Sequence, residues 1–252
     1  MSQLLYQKHQ EGVYRLIIKS GRGNPLTPQF LEDLNELLDG LAQAPPKALI
    51  LDADGSSIFS GGFALPIIAS WEREPLRNFL NRFLDAVHKI IMLPCPTITA
   101  LEGSAVAGGF ILSLASDFRM VSNNPKIKLG LPEVDLGAAL PSSARVLMEH
   151  RTSMTKALYY SMTAKLFGAQ EALNIGYALN IGENPLEDAL NLGVQLAKKP
   201  GIGVGATKQL KGMLLVKAMI EAETLGMDLF LDSWFHPAAQ QSIQAQAKRL
   251  SK

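Results

Sequence analysis

Apolar residues recur at Phe30, Leu31, Leu34, Leu37, Leu38 and Leu41. That spacing predicts an amphipathic helix over 28–42, with Thr27 as its N-cap and Pro28 in its first turn. A second run, Leu76, Phe79, Leu80, Phe83, Leu84, Val87, Ile90 and Ile91, predicts a helix over 76–92 that stops before Pro94. Around these helices lie short aliphatic and β-branched stretches at 13–18, 47–52, 97–100 and 118–121, each of strand length. The strand, helix, strand rhythm predicts an α/β fold. Residues 67–74 show no clear periodicity. Beyond 140 the pattern is helical at 142–149, 154–162, 169–174, with a C-cap turn at Asn174-Ile-Gly176, and at 186–198. The run Gly201-Ile-Gly-Val-Gly-Ala-Thr-Lys208 has its lysine out of place for a phosphate loop and no strand leading in, so it reads as a helix start. Helices over 213–234 and 237–250 follow, and neither an internal repeat nor a low-complexity linker divides the chain.

At 252 residues the chain is long enough for one large domain, and length alone permits two. With 47% hydrophobic and 19% charged residues the composition is that of a globular protein. A net charge of +1 argues against general attraction to nucleic acid or to a membrane surface. The lone cysteine, Cys95, rules out an internal disulfide or a multi-cysteine metal site. The first ten residues contain no apolar leader segment, and no apolar run reaches about 18 residues. An unexported cytoplasmic protein is expected. The final Leu250-Ser-Lys is the wrong order for a peroxisomal address.

The chemistry concentrates in Ala100-Leu-Glu-Gly-Ser-Ala-Val-Ala-Gly-Gly-Phe-Ile-Leu-Ser-Leu-Ala-Ser-Asp-Phe-Arg-Met120. It reads as strand, glycine turn and helix. Glycines at the mouth of a helix bare the backbone, and the free N–H groups of a first helical turn favour negative charge. The turn lacks the lysine and hydroxyl of a phosphate loop, the third glycine of a dinucleotide fingerprint, and the serine of a nucleophile elbow. What remains is a backbone donor site with a carboxylate, Glu133, one loop downstream among Leu129, Leu131, Val134 and Leu136. A second glycine turn, Phe59-Ser-Gly-Gly-Phe-Ala-Leu65, follows another strand and is able to bring a second N–H donor to the same oxygen. Asp135 reads as a cap or salt-bridge partner and Asp117 as structural. His9, His88, His150 and His236 read as surface residues, without metal-ligand spacing, and Ser60, Ser142 and Ser143 have no recognisable histidine partner.

These motifs, with Asn124-Pro, Gly130-Leu-Pro-Glu133, Leu136-Gly137 and Phe167-Gly-Ala-Gln-Glu-Ala-Leu-Asn-Ile-Gly-Tyr-Ala178, make the chain resemble the enoyl-CoA hydratase/isomerase (crotonase) superfamily. Within it the Δ3,Δ2-enoyl-CoA isomerases are most similar. The resemblance implies a spiral of repeated ββα units over 1–195 and a C-terminal helical region over 196–252 that folds over the site or clasps a neighbouring subunit. It implies an acyl-CoA thioester substrate, no cofactor beyond the coenzyme A of that substrate, no metal, and a homotrimer or a pair of trimers.

By the same resemblance, the backbone N–H groups of Phe63 and Gly108 form an oxyanion hole and Glu133 moves the proton. Hydratases of the family use a second glutamate on the helix after the glycine turn. Here that position is Ile111, which favours double-bond migration over hydration. Gly61, Gly62, Ala64, Leu65 and Gly109 would flank the thioester, Asn24 and Leu26 would touch coenzyme A, and Trp71 would lie at the acyl pocket. Arg22, Lys248 and Arg249 are candidates for the phosphates. Two departures stand out: Ala64 replaces the usual aspartate, and Phe63 is bulkier than the usual residue. The missing second acid also suits decarboxylases and thioester hydrolases of the fold. An atypical hydratase and a non-catalytic acyl-CoA-binding member stay open as well.

Overall fold

Residues 3–251 are described by a computed structural model. Met1, Ser2 and Lys252, on which the leader and address expectations partly rest, lie outside them. The chain begins with an antiparallel pair, β1 (Leu4–Lys8) and β2 (Val13–Ile18), and then α1 (Pro28–Gln43). From there it repeats one unit. A strand joins a main sheet, a short strand joins a second sheet, and a helix returns. The first unit is β3 (Ala48–Asp52), β4 (Ile58–Ser60) and the helices α2 (Leu65–Ile68) and α3 (Arg73–Met92). The second is β5 (Thr97–Leu101), β6 (Ser104–Val106) and α4 (Gly108–Ala115). The third is β7 (Phe118–Ser122), β8 (Leu129–Gly130), a 3-10 turn over Glu133–Leu136 and α5 (Ser142–Arg151). This is the expected ββα spiral. It closes with α6 (Met154–Thr163), α7 (Ala169–Asn174), β9 (Asn180–Gly182), α8 (Pro185–Ala197), α9 (Gly201–Phe235) and α10 (Pro237–Leu250).

The main sheet has the order β1-β2-β3-β5-β7-β9 and is parallel from β2 onward; the small sheet, β4-β6-β8, is parallel throughout. Strand β3 shows how period-two patterning divides the interior. Leu49 and Leu51 face the main core, while Ala48 and Ile50 face a smaller cluster under α8. The helices α9 and α10 contribute Leu215, Met219, Leu231 and Ile243 to the main core rather than to one of their own. The expected boundary at 195/196 accordingly falls inside α8.

Several elements differ from the sequence reading. The segment 67–74 carries α2 and the start of α3, whose first turn is polar and so shows no apolar period. The expected break between 208 and 213 is absent, because α9 runs unbroken over 35 residues. Its glycines fit where neighbours crowd the axis: a Cβ at Gly205 would lie 2.8 Å from the Pro94 carbonyl oxygen, and one at Gly212 3.1 Å from that of Ile91. The Thr27 cap is present, its Oγ1 accepting from the Phe30 amide at 3.0 Å.

Asp117 is structural, as expected. Its carboxylate accepts from the Thr97 amide (2.8 Å) and pairs with Lys208 Nζ at 2.9 Å, the lysine side chain being only 7% exposed. Removing one partner strands a buried charge, whereas removing both does not. Asp117→Ala is expected to lower the unfolding free energy in urea by about 3 kcal/mol, and Asp117→Ala/Lys208→Met to regain most of it. A double variant no more stable than the single one would assign the loss to something other than the ion pair.

Candidate active site

The three strands of the small sheet run side by side, so their carboxyl ends release the chain at one edge. After β4 comes Gly61-Gly62-Phe63, after β6 comes Ala107-Gly108, and after β8 comes Leu131-Pro132-Glu133. All three residues expected to act are thereby brought to one place. Leu26 fixes the first loop from behind. Its amide donates to the Gly62 carbonyl (2.8 Å) and its carbonyl accepts from the Ala64 amide (3.1 Å). In such a parallel bridge the intervening N–H, that of Phe63, points the other way, and no acceptor meets it among the described residues. The Gly108 amide opens α4 and is likewise without an acceptor, as the first N–H groups of a helix are.

Two glycines permit the loops to approach. Gly62 adopts φ 89°, and a Cβ there would stand 2.9 Å from Ala107 Cβ and 3.0 Å from the Gly108 nitrogen. A Cβ at Gly109 would lie 2.4 Å from the Ser60 carbonyl oxygen. Ala107 holds φ 51° and ψ −131°, a conformation that L-residues avoid and that costs on the order of 1–3 kcal/mol. That strain sits on the residue that aims the Gly108 amide. Ser60 spends its hydroxyl on the loop, donating to the Asn24 carbonyl (2.8 Å) and accepting from the Gly62 amide (3.1 Å). The Phe63 ring packs edge-on to Phe79 and Phe83, with centroids at 5.0 and 4.9 Å, and covers Gly108.

The edge opens into a cavity of about 370 Å³. Phe63, Leu65, Val106, Ala107, Leu136 and Ala138 form its apolar walls from the core, and Phe230, Trp234 and Leu250 form them from α9 and α10. Its polar lining is Glu133, Asp135 and Gln246, with the bare backbone of Gly61 and, among the described residues, without a cationic side chain. Glu133 is half-buried, reached from the cavity on one side. Its Oε2 is enclosed and has no hydrogen-bond partner among the described residues. Desolvation pushes the carboxyl up to about 8, its own backbone N–H offsetting part of the effect. Ile111 is 1% exposed and lies outside the lining, so the acid absent from the sequence is not replaced from α4.

Other expected site residues fall elsewhere. Asn24 is buried at φ 45°, its Nδ2 donating to the Ile58 carbonyl and its Oδ1 accepting from the Ser20 amide. With Leu26 it braces the Phe63 loop and is absent from the cavity wall. Gly62, Ala64 and Gly109 are buried behind that wall. Trp71 is also outside it, standing edge-on to Phe79 at 5.8 Å. Lys248 is exposed in the last turn of α10. Asp135 neither caps nor forms an ion pair among the described residues; it faces the cavity. His236 is exposed, as expected, and its Nδ1 accepts from the Ala238 amide and caps α10. The reading missed Phe230, Trp234, Gln246 and Leu250, whose sequence neighbours carry no sign of the cavity.

A family model described as enoyl-CoA hydratase/isomerase matches residues 8–250. A putative enoyl-CoA hydratase of Thermus thermophilus is 31% identical over 197 residues, covering 75% of this chain and 76% of that one. The fatty acid oxidation complex subunit alpha of Shewanella frigidimarina is 26% identical over 211 residues, and the match takes in 83% of this chain but only 29% of that longer protein. Among solved structures, human mitochondrial delta3-delta2-enoyl-CoA isomerase superposes with a TM-score of 0.92 at 21% identity, over 99% of this chain and 98% of that one. An enoyl-CoA hydratase/isomerase of Mycobacterium paratuberculosis gives 0.88 at 18% identity, over 97% and 98%. The fold, the paired free amides and the match over nearly the whole chain agree: this protein belongs to the enoyl-CoA hydratase/isomerase family.

Proposed function

We propose that the protein is an acyl-CoA isomerase that moves a double bond from Δ3 to Δ2. The observation carrying this reading is the single desolvated carboxyl, Glu133, on a cavity lined by Phe63 and by Ala107, the residue before Gly108, with Ile111 buried where a second acid would stand. The thioester oxygen accepts from the Phe63 and Gly108 amides. Removing the C2 proton places negative charge on that oxygen, and donors fixed in advance stabilise it by a few kcal/mol each. Glu133 takes the proton from C2, the electrons pass into the enolate, and Glu133 returns the proton at C4. No water is consumed. Coenzyme A enters as part of the substrate, and no further cofactor has a part.

The lining also selects among acyl groups. Glu133 and Asp135 are both acids, and among the described residues no lysine, arginine or histidine lines the cavity. An acyl group bearing its own carboxylate would be held against apolar wall with no counter-charge among the described residues, which disfavours the decarboxylase reading. A second reading, an atypical hydratase, is favoured by one observation: Asp135 lines the cavity without a partner and is able to hold a water. A homotrimer or pair of trimers belongs to the same proposal, supported by exposed apolar stripes at Leu210, Leu214, Leu225 and Leu229 of α9 and at Met154, Leu158 and Met162 of α6. No described helix is long and apolar enough to cross a membrane.

Glu133→Gln is expected to lower kcat for 3-enoyl-CoA isomerisation by about 10²–10⁴ while leaving KM nearly unchanged; retained turnover would remove Glu133 from the mechanism. The base form is needed, so kcat/KM should rise with pH and level off above about 8. The same group makes a stability prediction. Between the ordinary carboxyl value of 4.5 and about 8, folded Glu133 keeps a proton that the unfolded chain has lost, so stability falls as pH rises through that window. Glu133→Gln should flatten that fall and melt higher than the parent at pH 8.

Asp135→Asn separates the two readings: isomerisation of 3-enoyl-CoA should survive it, whereas water addition to 2-enoyl-CoA that is present in the parent and lost in the variant would establish the hydratase. Light scattering should give the mass of three or six chains.

A further inference from the structure

The active-site cavity lies where the small-sheet strands end. A second cavity, of about 530 Å³, opens at the other end of the fold, where β5 and β7 begin. It is bounded by the end of α5, the last turn of α8 and the first turns of α9, and its size is within the usual range for small-ligand sites. Phe118, Leu196 and Val204 supply apolar wall.

Its charges do not balance. Arg151, Lys199, Lys208 and Lys211 line it, and Asp117 is the one carboxylate among them. Asp117 is taken by Lys208 at 2.9 Å. Arg151 spends its donors on neutral carbonyls, Nε on Leu114 at 3.0 Å and Nη2 on Ala115 at 3.4 Å. Lys199 and Lys211 have no ion-pair partner among the described residues. The cations act on one another: besides the dominant effect of burial, the charge of Arg151 lowers Lys208 and Arg119, and Lys211 with Arg151 lowers His150. Arg151 is half-buried without a carboxylate partner among the described residues, and Lys199 and Lys211 stand exposed at the rim, so an anion placed between them gains charge-assisted contacts to all three.

The glycine run at the start of α9 supplies an independent observation. Gly205 is required by the Pro94 carbonyl, but a Cβ at Gly201 or Gly203 would meet nothing within 4 Å, and neither has a positive φ. Packing gives no reason for glycine at either position. Gly203 lies on the cavity wall. Its bare backbone leaves space beside the amino end of α9, where the Gly203 and Val204 amides already donate to the Pro200 carbonyl, so the positive charge facing the cavity is that of the side chains.

We propose that this cavity binds an amphipathic anion. A carboxylate or phosphate-ester head sits between Lys199, Lys211 and Arg151 at the amino end of α9, and an apolar body lies against Phe118, Leu196 and Val204. The site is separate from the acyl cavity and does not depend on the assigned reaction.

Calorimetric titration of the full-length protein tests it, with dodecanoate, dodecyl phosphate, dodecyltrimethylammonium and inorganic phosphate, each below micelle formation. Dodecanoate, dodecyl phosphate or both should bind, and which of them does identifies the head. Binding should weaken with added salt, weaken by roughly tenfold or more in Lys199→Glu/Lys211→Glu, and persist when octanoyl-CoA saturates the other cavity. Gly203→Leu, which fills open space and improves the helix, should abolish binding with an unchanged or higher melting temperature and unchanged thioester turnover. Absence of binding by either anionic amphiphile, equal binding by the ammonium amphiphile or by inorganic phosphate, displacement by octanoyl-CoA, or full binding by both variants would overturn the proposal.

Discussion

The site depends on how closely the turn after β4 can press against the first residues of α4. Two amides from distant parts of the chain can serve one oxygen only if those segments touch, and they touch because positions 62 and 109 have no side chain. Gly62 leaves room for Ala107 and the Gly108 nitrogen, and Gly109 leaves room for the Ser60 carbonyl. The remaining local features support that contact. Leu26 turns the Phe63 amide outward, Ser60 ties its loop to Asn24, and the strained Ala107 aims the Gly108 amide. The spiral makes this possible by bringing three short parallel strands to one edge.

The same packing sets the chemistry of Glu133. Desolvation by apolar walls, with no cation among the described lining residues, keeps its carboxyl protonated well above the usual range. For an ordinary folded protein this placement is unfavourable, because neither water nor a counterion compensates the charge. For a proton carrier it is suitable: a carboxyl near neutrality gives up and regains a proton with little driving force in either direction. Strain at Ala107 and desolvation at Glu133 are two places where stability is traded for a prepared site.

The sequence revealed the large elements and the first residues of the site, since long helices carry many periodic positions and glycine pairs mark where backbone is bared. It was less informative about elements too short to have a period. Strands β4, β6 and β8 have only two or three residues each, and they position every reacting group. Asn24 illustrates a different limit: the motif placed it at a ligand, but its buried amide is committed to the loop beneath. The resemblance places Trp71 at the pocket, yet α2 and α3 order that segment and turn the indole onto Phe79. The wall residues Phe230, Trp234, Gln246 and Leu250 were invisible for a simpler reason. Their role is created by how α9 and α10 return across the core, which no local window encodes.

That return has a consequence for an assembled form. The far wall of the acyl cavity comes from the chain's own α9 and α10, so its closure is an intramolecular event with a fixed effective concentration. Mass action therefore does not govern whether the cavity is walled. Diluting an oligomer until its protomers separate would leave Trp234 and Leu250 in place, and the intrinsic capacity to enclose an acyl chain would be a property of each polypeptide rather than of the assembly.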